Sequence, residues 1–121
     1  MKWLAVCLIT LLFSACSDQT IRDASIERVE VEVSAAEPAS ARVTAYGYFT
    51  GGCKVLHDIT QRREGATFLV GITTREPAEL ANALCEPEEL STEEVVLSVA
   101  DLSSGTYTVD VNSVTQTFTL P

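Results

Sequence analysis

Basic side chains are scarce. The 121 residues carry 8 Lys and Arg against 17 Asp and Glu, a formal charge of −9. Nucleic-acid binding rests on clustered Lys and Arg, so nucleic acid is not an expected partner. Histidine occurs once, as His57. On a strand His57 and Asp58 point to opposite faces, so the carboxylate does not orient the imidazole. No Gly-x-Ser-x-Gly supplies a nucleophile. A zinc site takes three or four ligands, more than this chain offers if its two mid-chain cysteines are paired. No Cys-x-x-Cys occurs, which removes the usual redox spacing. There is no internal repeat, and no apolar run reaches the ~20 residues that a membrane-spanning helix needs. Neither enzymatic activity nor a cofactor is expected.

The chain does have an address. Lys2 precedes an apolar run from Trp3 to Phe13, broken only by Thr10. That length and charge pattern suit a secretory signal peptide. The run ends in Phe13-Ser14-Ala15-Cys16. This resembles the lipobox of bacterial lipoproteins, with Phe where Leu is commoner. The resemblance implies that Cys16 is acylated and that residues 1–15 are removed. Ser17, rather than Asp, follows Cys16, which by the enterobacterial sorting pattern implies the outer membrane; the domain is expected to face the periplasm. Two or three acyl chains make a stable anchor without help from the protein surface. The expected partners are therefore that membrane and an envelope protein.

The expected mature chain has 106 residues, with 7 basic and 17 acidic side chains. Of these residues 29 are Val, Ile or Thr, which lose rotamer freedom in helices and pack well on sheets. Val29, Val31 and Val33 alternate with Glu30 and Glu32. Val43, Ala45, Gly47 and Phe49 alternate with Arg42, Thr44, Tyr46 and Tyr48. Similar alternation predicts about seven strands, near 26–33, 41–50, 53–62, 66–75, 92–100, 106–111 and 114–120. Residues 16–25 read as a polar tether, and residues 26–121 as the folded domain. Gly65 marks a turn needing positive φ, and Asn112-Ser113 a tight hairpin. Residues 76–91 suit either a helical turn or two or an irregular loop.

Leu102-Ser103-Ser104-Gly105-Thr106-Tyr107 resembles the tyrosine corner of Greek-key sandwiches. There a tyrosine at a strand start bonds back to the chain upstream. Leu102 would plug the core and Gly105 permit the bend. The closing pattern Tyr107-x-Val109-x-Val111, then Phe118-x-Leu120, resembles immunoglobulin-like and fibronectin-III-like domains. The resemblance implies a small antiparallel β-sandwich. Residues 42–121 also resemble small bacterial envelope proteins that bring no known activity.

Cys7 falls in the leader, which leaves Cys53 and Cys85. In an oxidising compartment this pair is expected to form a structural disulfide that braces the irregular segment. Glu86, Glu88, Glu89, Glu93 and Glu94 form an acidic run, read as a solvated rim with a weak divalent-cation site as the alternative. Tyr46 and Tyr48 share a face and either anchor a partner or cover an edge of the core. The chain is thus expected to be a lipid-anchored, non-enzymatic envelope module. The alternative is a protease-inhibitor-like protein acting through residues 76–91, with Arg75 or Leu84 as its anchor.

Overall fold

The computed structural model describes residues 19–34, 39–77 and 84–121. The leader, Cys16 and residues 78–83 of the 76–91 segment lie outside the described residues.

Alternation of apolar and polar side chains is realised as eight strands. In chain order they are β1 (Gln19–Asp23), β2 (Ser25–Ser34), β3 (Ser40–Tyr48), β4 (Val55–Glu64), β5 (Thr67–Pro77), β6 (Leu90–Ser98), β7 (Gly105–Val111) and β8 (Val114–Leu120). No helix occurs among the described residues. The strands form two sheets, one of three strands in the order β2-β3-β6 and one of five. The fold is an all-β sandwich.

β5 organises the larger sheet. β4 covers one of its edges from Val55 to Glu64. The other edge is shared end to end. β7 takes Thr67–Val70 and β1 takes Thr73–Pro77. β8 then pairs with β7.

The inner faces supply the core. Ala41, Val43 and Ala45 of β3 and Leu97 of β6 are almost wholly buried. From the other sheet come Val70 and Ile72 of β5 and Val109 and Val111 of β7. Phe68, Tyr107 and Phe118 form an aromatic trio, with ring centres 5.9–6.3 Å apart. Such contacts add to the stability that burial alone supplies.

Three expectations need correction. The 16–25 segment is not all tether, because residues 19–23 are β1 and Ala24 is buried in the core. The sandwich therefore begins ahead of residue 26. The sheets are not antiparallel throughout, since β5 and β7 run parallel. Cys53 is not on a strand. It lies ahead of β4 in a loop, at φ 66°.

The two ends of the sandwich differ. One carries the start of β1, the Phe49–Lys54 loop and the segment before β6. The other carries the Gly65-Ala66 hairpin, the turn before β7 and the C-terminus.

Candidate functional site

At the first of these ends the chain is held to itself by a disulfide, a backbone hydrogen bond and an ion pair. Gly51, Gly52 and Cys53 all have positive φ, at 86°, 61° and 66°. Glycine enters this region freely, which explains the Gly-Gly pair. Gly51 has a second reason. A Cβ there would stand 2.4 Å from the Pro87 carbonyl oxygen and 2.8 Å from Glu88 Cα. The loop and residues 85–88 are thus in backbone contact.

Three further links hold them. Cys53 and Cys85 are joined by a disulfide, with Cα atoms 5.1 Å apart. The Gly52 N–H donates to the Glu86 carbonyl at 2.6 Å. The Lys54 ammonium pairs with the Glu88 carboxylate, and the lysine side chain is only 17% exposed. An open groove of about 440 Å³ runs along this seam, lined by Thr50, Lys54, Val55, Glu86, Pro87 and Glu89. Chemically it offers little that reacts. Both thiols are consumed in the disulfide, and a thiolate is what makes a cysteine reactive.

The other sequence candidates are dispersed. His57 is exposed at a bulge in β4. Asp58 turns instead to its own chain and accepts from the Ile59 N–H at 2.8 Å. In the acidic run, Glu88 pairs with Lys54, and Glu94 lies 4.0 Å from Arg42. No three His, Cys, Asp or Glu side chains among the described residues are grouped to hold a metal. Arg62 pairs with Glu64, and Arg63 donates to the Gly65 carbonyl at 2.9 Å. Arg75 lies within β5 between Ile21 and Val55, not on a loop. Tyr46 and Tyr48 are half-buried on the outer face of the three-stranded sheet. Arg28 stacks 3.8 Å over the Tyr46 ring, whose hydroxyl donates to Glu30 at 2.9 Å.

At the opposite end, Tyr107 Oη donates to the Ser103 carbonyl at 2.7 Å. Leu102 is half-buried and packs against the core. Gly105 has φ 146°, a conformation that disfavours any side chain.

One residue was legible only as a turn former. Asn112 and Ser113 have φ of 50° and 79°, as a type I′ hairpin requires. The Asn112 side chain also fills the gap on β5 between β7 and β1. Its Oδ1 accepts from the Ile72 N–H at 3.0 Å. Its Nδ2 donates to the carbonyls of Ile72 and Ala24, each at 2.8 Å. No local pattern announces a contact 88 residues away in the chain.

Residues 43–120, well over half of the chain, match the ORF11 beta-sandwich domain. The chain belongs to this family. The matched span begins inside β3 and ends in β8, so β1 and β2 precede it. The chain is also 27% identical over 95 residues to a protein of Herpetosiphon aurantiacus described as "Uncharacterized 10.2 kDa protein in HgiCIIM 5′region". That alignment spans 78% of this chain and 98% of the relative. No solved structure matches the chain significantly.

Proposed function

We propose that this ORF11 beta-sandwich protein is a lipid-anchored, non-enzymatic module of the cell envelope that binds or scaffolds a partner protein. The observation that carries the reading is the order of features along the chain. A charged start and an apolar run lead into Phe13-Ser14-Ala15-Cys16, and β1 begins three residues later at Gln19. Ser17 supports an outer-membrane address, on which the domain would face the periplasm. The Tyr107–Ser103 bond supports an immunoglobulin-like closing hairpin, although the parallel β5–β7 pair sets the strand order apart.

Fractionation tests the anchor. The wild-type protein should sediment with membranes and leave them only in detergent, whereas Cys16→Ala should be released or remain unprocessed. A wild-type protein found wholly in the soluble fraction overturns the reading. For the binding role, crosslinking within intact envelopes should give one defined adduct, and its absence argues for a free-standing domain.

Protease inhibition is the second reading. It draws on Leu84, which is fully exposed beside Cys85. Stoichiometric block of a protease would support it, and simple cleavage at this segment would overturn it.

A further inference from the structure

Cys16 is close to one particular end of the sandwich. Only Ser17 and Asp18 separate it from Gln19, so even a fully extended connection reaches about 10 Å. Gln19 is the first residue of β1 and lies opposite Pro77 on β5. From there β1 is held to β5 through Asp23, so the exit point cannot wander. Thr20 and Glu76 line a cleft together with Gly52, Lys54 and Glu88, which sets this end of the β1–β5 pair beside the disulfide-linked loops. The eleven residues of β5 measure about 35 Å. The tether is therefore far shorter than the domain.

We propose that the loops at the disulfide end, with Leu84 foremost, are the surface that rests on the bilayer holding Cys16. This rests on the lipid-anchor reading. Leu84 is fully exposed, more so than Ile21, Leu90 or Val96, and stands next to the disulfide. An exposed leucine near a membrane gains by entering the interfacial layer. Glu86, Glu88 and Glu89 flank it, so an anionic headgroup layer would repel this end. The bilayer that fits is one with uncharged, zwitterionic headgroups. The consequence is directional. The Gly65-Ala66 hairpin and the tyrosine-corner end face away from the membrane, where a soluble partner can reach them. A protease could not reach a loop held against lipid, which weighs against inhibition through residues 76–91.

Tryptophan fluorescence tests the orientation cleanly, because the only tryptophan, Trp3, lies in the leader. Leu84→Trp and Ala66→Trp place single probes at the two ends, both at exposed positions. The lipidated proteins would be purified from membranes, checked by intact mass, and reconstituted into phosphatidylcholine–phosphatidylethanolamine vesicles with brominated acyl chains. The Leu84→Trp emission should shift to the blue and lose most of its intensity, while Ala66→Trp stays unchanged. Thr50→Trp, on the neighbouring loop, gives the same reading if Leu84→Trp does not fold. Lipid mass with an unquenched probe at the disulfide end overturns the orientation alone. Equal quenching at both ends, as in a domain lying flat, also overturns it. A mature protein without lipid mass overturns the anchor, and the orientation with it.

Discussion

The amide of Asn112 brackets the backbone of Ile72 as a neighbouring strand would. It accepts from the Ile72 N–H at 3.0 Å and donates to the Ile72 carbonyl at 2.8 Å. The Ala24 N–H adds a second bond to that carbonyl at 2.9 Å. This is the point where β7 has ended and β1 has not begun, so no strand is available on this edge of β5, opposite β4. Ile72 itself is fully buried. A buried amide left unpaired costs about 1–3 kcal/mol.

Two substitutions isolate that role. Asn112→Gly keeps the positive φ and removes only the clamp, so it should lower unfolding stability by about 1–3 kcal/mol. Asn112→Asp keeps the acceptor but turns the donor into a charged oxygen facing the carbonyls of Ala24 and Ile72. Those carbonyls raise the folded-state pKa of the new carboxyl above its unfolded value. The protonated form can still donate, so the penalty is smallest below the unfolded pKa of ~3.9 and grows as pH rises through the folded pKa. Denaturant titrations of mutant and wild type across pH should show the gap widening toward neutrality. A constant gap would mean that the amide does not act as a donor.

Much of the sandwich was legible because alternation is local. Val43, Ala45 and Phe49 face the core as their period of two predicts. The unpredicted parts rest on contacts between distant segments. β1 has no apolar face to read, and its Ile21 is half exposed. It is a strand because the edge of β5 is open beside it. The parallel β5–β7 pair likewise depends on where two segments meet after folding. At the disulfide end the close approach of Pro87 to Gly51 joins segments more than thirty residues apart and is visible only in three dimensions.

That approach distinguishes two glycines. Gly51→Ala meets both a positive φ and a carbonyl at 2.4 Å, whereas Gly65→Ala, at φ 62°, meets no atom within 4 Å. Gly65→Ala should therefore cost only the left-handed backbone, about 1–2 kcal/mol. Gly51→Ala should cost clearly more, since backbone must move. Thermal melts of the two variants make the comparison, and equal losses would show that the seam with Pro87 is loose.

The disulfide should matter to stability rather than activity. It closes a loop with a sequence separation of 32. The chain-entropy estimate for such a loop is roughly 3.7 kcal/mol. The Cys53→Ala/Cys85→Ala double variant should melt markedly lower while keeping the β-sheet circular-dichroism spectrum. The Gly52–Glu86 and Lys54–Glu88 contacts should hold the seam together in the folded variant, so the loss should appear in the melting temperature rather than as a change of fold. Both thiols found free in protein taken from the envelope under alkylating conditions would remove the disulfide from the account.

Tyr107 combines two contributions that mutation can separate. Its ring stacks on Phe118 with centres 5.9 Å apart, and its hydroxyl donates to Ser103 at 2.7 Å. Tyr107→Phe leaves the stack and deletes the bond. An ordinary hydrogen bond contributes about 0.5–1.5 kcal/mol net. Ser103 is exposed, so water can reach its abandoned carbonyl and the loss should lie toward the lower end of that range. Phe118→Ala instead empties part of the core. Its side chain is buried and touches the rings of both Phe68 and Tyr107 in the aromatic trio. A cavity of that kind costs about 3–5 kcal/mol. The order of the two losses is the sharper expectation, because the ring supplies area and the hydroxyl only direction. If Tyr107→Phe destabilises as much as Phe118→Ala, the hydroxyl does more than close a local turn. The Leu102–Tyr107 corner would then be a principal determinant of how β6 hands the chain across to β7.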